Sequence, residues 1–207
     1  MDPSTLAPMT TGLYIMMGIS LAAVAGLRAF LPLCVVAWLA HAKLLTLSAA
    51  YSWLGSDAAI IVFSVASVLE IAADKIPVVD VVLDHVADYI KPVAGTVLVS
   101  GLITRWDPLA ATVFGLMAGG SISALFHQAK KLTRITSTGA TLGLANPVIS
   151  ATEDLAGGIG ILTAFFAPAL AFTVVCLGGY AIYHGGRKVY IWFTSRPGQT
   201  GIAASPS

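Results

Sequence analysis

From Gly12 to Tyr183 the chain is a succession of apolar runs. Each is close to the roughly 20 residues that a helix needs to cross the ~30 Å hydrocarbon core of a bilayer. Charged residues make up 10% of the 207 positions, against about 25% in an ordinary soluble domain. The pattern predicts an all-α fold, a polytopic membrane helix bundle forming a single membrane domain over 1–207, with the lipid bilayer as its partner. A nucleic-acid partner is excluded, because 11 Lys and Arg face 10 Asp and Glu and there is no basic surplus to offset phosphates. Cys34 and Cys176 sit in apolar stretches and read as small core hydrophobes. Met1–Thr11 has no Lys or Arg, so it lacks the basic start of a signal peptide, and the expectation is an uncleaved first helix.

Six spans are expected. The first runs from Gly12 to Ala42 and is interrupted by Gly26-Leu27-Arg28 and Pro32. The second runs from Asp57 to Lys75, the third from His85 to Thr104 and the fourth from Pro108 to Gln128. The fifth, Ser137 to Ala156, carries Thr138, Thr141, Asn146, Pro147, Glu153 and Asp154, a polar load that neighbouring helices must shield. The sixth runs from Gly158 to His184 with Pro168 inside it. Lys75, Lys130, Lys131, Arg134, Arg187, Lys188 and Arg196 then face one side, and Lys43 and Arg105 the other. Seven against two places both termini in the cytoplasm by the positive-inside rule. Residues 196–207 read as a loose cytoplasmic tail.

Six spans divide into three plus three, with candidate repeats at 12–104 and 108–184. If the halves are related they are inverted repeats, a plan common in transporters. Val65-Ala-Ser-Val-Leu-Glu70 and Val148-Ile-Ser-Ala-Thr-Glu153 both fit V-x-S-x-x-E, and they fall in the spans that the topology pairs. Helix breaks are expected near Gly26–Pro32 and at Asn146-Pro147. Proline lacks an N–H and clashes with the preceding turn, and freed backbone groups inside a bilayer must be met by protein or cavity water.

Charge concentrates in few places. Glu70, Asp74, Lys75, Asp80, Asp84, His85, Asp88 and Lys91 all fall in the one stretch 70–91. The Asp80–Asp88 stretch, with acids four apart, suits an amphipathic interfacial segment. Asp80, Asp84 and Asp88 are also the metal-ligand candidates, since carboxylates of this kind hold magnesium, although no fixed metal signature is present. An ionised acid at mid-helix costs about 2.5–3.5 kcal/mol on insertion scales. Glu70 and Glu153 therefore need a partner, and Arg28 is the Arg placed inside a span. Arg28, Glu70, Asp74, Asn146, Glu153 and Asp154 form the candidate solute- or ion-binding set. A purely architectural Arg–Glu pair is the alternative for the same residues. His41, His127 and His184 sit at span ends and read as interfacial polar residues. So do the aromatic residues of a belt that includes Tyr14, Trp38, Tyr51, Trp53, Trp106, Tyr180 and Tyr183. Gly115-Leu-Met-Ala-Gly119 and Gly139-Ala-Thr-Leu-Gly143 are small-residue faces that suit close helix approach, within the chain or in a homo-oligomer.

Three motifs stand out in order: Gly26-Leu-Arg-Ala-Phe-Leu-Pro32, Leu69-Glu-Ile-Ala-Ala-Asp-Lys-Ile-Pro-Val-Val-Asp80, and Thr141-Leu-Gly-Leu-Ala-Asn-Pro-Val-Ile-Ser-Ala-Thr-Glu-Asp154. With these the chain resembles an uncharacterised family of small bacterial and archaeal membrane proteins, a domain of unknown function, over roughly Gly12 to Tyr183. The resemblance implies the inner (cytoplasmic) membrane of a prokaryote, brings no activity or cofactor with it, and places Arg28, Glu70, Asp74, Lys75, Asp80, Asn146, Pro147, Glu153 and Asp154 within the family's motifs.

Three function classes follow. The first is a small transporter or channel with an acidic mid-membrane site for a proton, cation or polar solute. The second is a structural or accessory subunit of a membrane complex, in which the acids form closed salt bridges. The third is an intramembrane metal-dependent enzyme acting on a lipid phosphate, against which stands the lack of a nucleophile–base pair.

Overall fold

The computed structural model describes residues 3–73, 77–141 and 146–194; side chains are described from Thr10 to Lys188, except at 74–85, 138, 140 and 142–147. The described residues form helices and no strands. They are α1 (Pro3–Leu27), α2 (Phe30–His41), a short 3₁₀ stretch (Ala49–Gly55), α3 (Asp57–Ala73), α4 (Pro77–Leu102), α5 (Pro108–Gly115), α6 (Ser121–Thr141), α7 (Asn146–Phe166) and α8 (Pro168–Thr194). One π turn, Leu116–Gly120, joins α5 to α6, and the two make a single rod. Four stretches are long and apolar enough to cross a bilayer: Thr10–Leu27, Pro108–Ser137, Val148–Phe166 and Pro168–Lys188. The 3₁₀ stretch with α3, bent by 64°, makes a fifth. α4 is outside that set: its first half carries Asp80, Asp84, Asp88 and Lys91, and its second half is apolar.

α1 is the hub. Leu21, Ala22 and Ala25 are fully buried on it, and it packs against α4, α6, α7 and α8. Glycines set the closest approaches. A Cβ on Gly26 would collide with α6 at the Ser123 carbonyl and Phe126. Gly95 of α4 and Gly119 of the π turn face each other so closely that a Cβ on either would strike the other's carbonyl. The Gly115–Gly119 face thus joins the α5–α6 rod to α4 inside one chain, as small residues do where backbones must approach.

The direction of each helix follows from these contacts. Thr10, Thr11 and Tyr14 at the start of α1 share a pocket with Leu102, Thr104 and Arg105 at the end of α4, so α1 and α4 are antiparallel. Thr46, just after α2, lines the same pocket. The segment 12–42, expected as one crossing, therefore goes out along α1 and returns along α2. The 12 residues of α2 reach only ~18 Å at 1.5 Å per residue, so the extended stretch after His41 completes the return. α8 is parallel to α1: Phe172 and Val175 pack near Ile15 and Ile19, while Gly178 meets Phe126 at the level of Gly26. The start of α1 lies at one end of the bundle, here the Arg105 end, and the finish of α8 at the other, the Arg28 end. The expectation of both termini on one side counted 12–42 as a single pass, whereas the described chain turns back between α1 and α2.

Two further expectations change. Asn146-Pro147 opens α7 instead of breaking a span, and Pro168 opens α8 after Ala167. Proline in the first turn forfeits an N–H that has no intrahelical partner anyway, so it starts a helix as readily as it kinks one. Lys130, Lys131 and Arg134 stand on α6 itself, not in a loop after the fourth span.

Candidate functional site

The Arg28 end is built on the break between α1 and α2. The ring of Pro32 clashes with a helical carbonyl four residues back, at Arg28. Arg28 N–H still donates to Val24 O (2.8 Å), but the next two amides leave the α1 ladder. Ala29 N–H donates to Glu70 Oε1 (2.7 Å), and Phe30 N–H donates to Glu70 Oε2 (3.1 Å). The Glu70 carboxylate of α3 thus caps α2 from outside, where an anion meets both the orphan donors and the positive end of the helix dipole. On the other side of the break, Lys130 Nζ donates to Leu27 O (3.2 Å), a cation at the negative end of α1. Side chains from α3 and α6 hold the two cut ends.

Arg28 is fully buried. Its Nη1 donates to the backbone carbonyl of Glu70 (3.4 Å), its Nη2 donates to Ser150 Oγ (3.3 Å), and the guanidinium forms an ion pair with Asp154. Glu153, one residue before, accepts from a different pair: Lys130 Nζ at 3.0 Å and Arg134 Nη2 at 3.0 Å. Neither Glu70 nor Glu153 supplies the acid that pairs with Arg28, and the two carboxylates do not face each other. Among the described residues the acid paired with Arg28 is Asp154.

A second network adjoins the first across α4 and α6. Lys91 Nζ lies 2.9 Å from His127 Nδ1, and His127 Nε2 lies 2.9 Å from Asp88 Oδ1. The carboxylate only accepts, so with His127 neutral the proton sits on Nε2 and Nδ1 accepts from the Lys91 ammonium. Lys131 Nζ pairs with Asp88 Oδ2 at 2.8 Å. Ser123 Oγ donates to Lys91 O (2.7 Å). Lys91 and His127 are both buried. His127, expected as an interfacial residue, is interior.

Of the expected set, Arg28, Glu70, Glu153 and Asp154 meet in one charged layer. Asp74 lies outside the described residues. Asn146 is the first residue of α7, and Asp80 and Asp84 lie on α4; the side chains of these three are outside the described residues. Asp88 is engaged by His127 and Lys131. Among the described residues no group of three or more His, Cys, Asp or Glu is placed to hold a metal ion. Lys91, His127, Lys130 and Arg134 escaped the sequence reading. The signal was present: His127, Lys130, Lys131 and Arg134 stand at i, i+3, i+4 and i+7, one face of a helix.

The layer lies toward the Arg28 end of the bundle. Asp88 lies about four helical turns before Leu102 on α4, and Glu153 nearly as far before Phe166 on α7. At a rise of about 5.4 Å per turn both stand about 20 Å along their helices from the Arg105 end.

A family model described as Domain of unknown function (DUF4126) matches residues 15–184. The chain belongs to the DUF4126 family. Neither a curated protein nor a solved structure matches it. All of the charged layer, from Arg28 to Asp154, falls inside the region that defines this DUF4126 protein as a member.

Proposed function

We propose that this DUF4126 protein is a small membrane transporter or channel, with the charged layer as its site for a proton, cation or polar solute. The observation that carries the reading is the α1–α2 break, held by Glu70 on one cut end and Lys130 on the other. A helix with an unbroken hydrogen-bond ladder needs no such partners, whereas side-chain partners can exchange. Protonation or displacement of the Glu70 carboxylate frees the amides of Ala29 and Phe30 for a solute, and Lys130 is shared between Leu27 O and Glu153. Ionisable residues at such depth default to a pathway role because each is expensive to bury. The inverted-repeat reading rests on the V-x-S-x-x-E match, whose acids come to one layer on α3 and α7, helices that run in opposite directions. Counting α1, α3, α4, α5–α6, α7 and α8 as full passes gives six, with α2 as a half-length return.

The test is flux in proteoliposomes, with a pH dye and a panel of alkali cations, under a potassium diffusion potential. Glu70→Gln, which keeps shape but weakens the cap on Ala29 and Phe30, is expected to change the wild-type flux at least about tenfold. Flux of every moved species unchanged in Glu70→Gln would sink the role given to Glu70.

A second reading, an accessory subunit of a membrane complex, is favoured by the closure of Glu153 and Asp154 in ion pairs. Isolation in mild detergent that always returns this chain alone, or as copies of itself, excludes it.

Orientation follows from charge. Arg28, Lys91, Lys130, Lys131, Arg134, Arg187 and Lys188 lie at the Arg28 end or just beyond it, and Lys43 and Arg105 at the other. The positive-inside rule puts the Arg28 end in the cytoplasm, with the C-terminus inside and the N-terminus outside. In intact cells an impermeant thiol reagent is expected to label a cysteine placed at the N-terminus and spare one at the C-terminus. Protection of both would restore the single-side topology.

A further inference from the structure

The pocket at the Arg105 end carries a site of its own. It encloses about 330 Å³, at the lower end of the range for small-molecule pockets, about 300–1,000 Å³. Its wall is unusual for a chain so poor in polar residues: Thr10, Thr11, Thr46 and Thr104 line it with Tyr14, Leu102 and Arg105.

Arg105 is the informative member. Its nearest acid in sequence, Asp107, is already committed, because Oδ2 accepts from Leu109 N–H (3.0 Å) and Ala110 N–H (3.2 Å) and so caps α5. Among the described residues no ion-pair or hydrogen-bond partner is found for the Arg105 side chain. The contrast with the other end is sharp, where Arg28 and Arg134 are each held by an acid. A guanidinium is a fork of N–H donors that fits a tetrahedral oxyanion in bidentate fashion, and the hydroxyls of Thr46 and Thr104 in the same wall add donors of adjustable direction. Trp106 and Trp53 are exposed at this end, the level at which aromatic belts mark the membrane interface.

We propose that this pocket binds a phosphate group, with Arg105 as the charge partner and the hydroxyls of Thr46 and Thr104 as the cradle. Two sources carry that chemistry, the headgroup of an anionic phospholipid and free phosphate from solution. The pocket joins the start of α1, the return of α2 and the exit of α4, so an occupant would tie together three segments distant in sequence. The site stands apart from the charged layer and does not depend on the transport reading.

Native mass spectrometry of the full chain, titrated with phosphatidylglycerol and with a glycolipid that lacks phosphate, tests it. Wild type is expected to hold one phosphatidylglycerol per chain. Arg105→Gln weakens that binding about tenfold, and Thr46→Val weakens it less. Lys43→Gln, an exposed cation of the same end outside the pocket, leaves it unchanged. If phosphatidylglycerol fails to bind but inorganic phosphate raises the thermal midpoint of wild type and not of Arg105→Gln, the site stands and its source is soluble. Equal phosphatidylglycerol binding by wild type and Arg105→Gln overturns the proposal, as does equally tight binding of the phosphate-free lipid. So does phosphatidylglycerol binding that Lys43→Gln weakens as much as Arg105→Gln, which would reduce Arg105 to one more interfacial charge. Arg105 and Thr46 are both exposed, so both variants are expected to fold, and matching helical circular dichroism checks it.

Discussion

Glu153→Ala is expected to lower the stability of the purified protein by about 3–5 kcal/mol, read as a fall in the unfolding midpoint in detergent. The size comes from what the substitution leaves behind. Glu153 is 8% exposed, Lys130 6% and Arg134 7%, so water cannot take over its role for either cation. Both cations approach the same oxygen, Oε2, at 3.0 Å. Removing the carboxylate leaves two like charges side by side in a region that excludes solvent. An exposed pair of the same geometry contributes about 0–1 kcal/mol; burial makes the difference. Adding Arg134→Met to Glu153→Ala is expected to recover part of the loss, so that the double variant is more stable than the sum of the two single effects predicts. A loss under about 1 kcal/mol for Glu153→Ala, the level of an exposed pair, would show that the cluster is hydrated.

Four of the six residues that the bilayer argument singled out lie in one layer, where Glu153 and Asp154 are paired with cations and Glu70 accepts two backbone amides. Arg28, Glu70, Glu153 and Asp154 were legible on that ground, and so was the break that Pro32 imposes on the carbonyl of Arg28. The partners were not. Lys130, Lys131 and Arg134 were weighed as topological markers, because the positive-inside rule treats a basic residue near a span end as a loop charge. Their spacing with His127 describes a helix face, and the rod from Pro108 continues through it to Thr141. Path reversal was hidden for a different reason. The apolar stretch 12–42 looks like one long span, and hydropathy does not record that a chain turns round at a break. It is shown by Thr46 and Thr10 lining one pocket and by the Ser48 amide donating to Gly101 O at the same end. Asn146-Pro147 and Pro168 show that proline marks a discontinuity without saying whether a helix bends there or begins.

Arg28 separates the two functional readings. Arg28→Ala is expected to cost about 3–5 kcal/mol, since Asp154 loses its ion pair while Ser150 and the Glu70 carbonyl lose a donor in a fully buried position. Arg28→Lys keeps the charge but not the fork, and an ammonium at that position cannot serve Ser150, Asp154 and the Glu70 carbonyl in the same directions. It is expected to retain about half of the lost stability. The decisive variant removes both charges together: Arg28→Met with Asp154→Leu replaces the fully buried guanidinium and its half-buried acid by apolar groups, a change that is often neutral or stabilising for interior ion pairs. If the pair is architecture alone, the double variant folds, stays stable and keeps whatever activity the wild type has. If the layer is a pathway, the double variant is equally stable and its flux in proteoliposomes falls at least about tenfold, because apolar side chains offer a moving charge no replacement for water. Stability and flux part company in that outcome, and a strut gives no reason for them to do so.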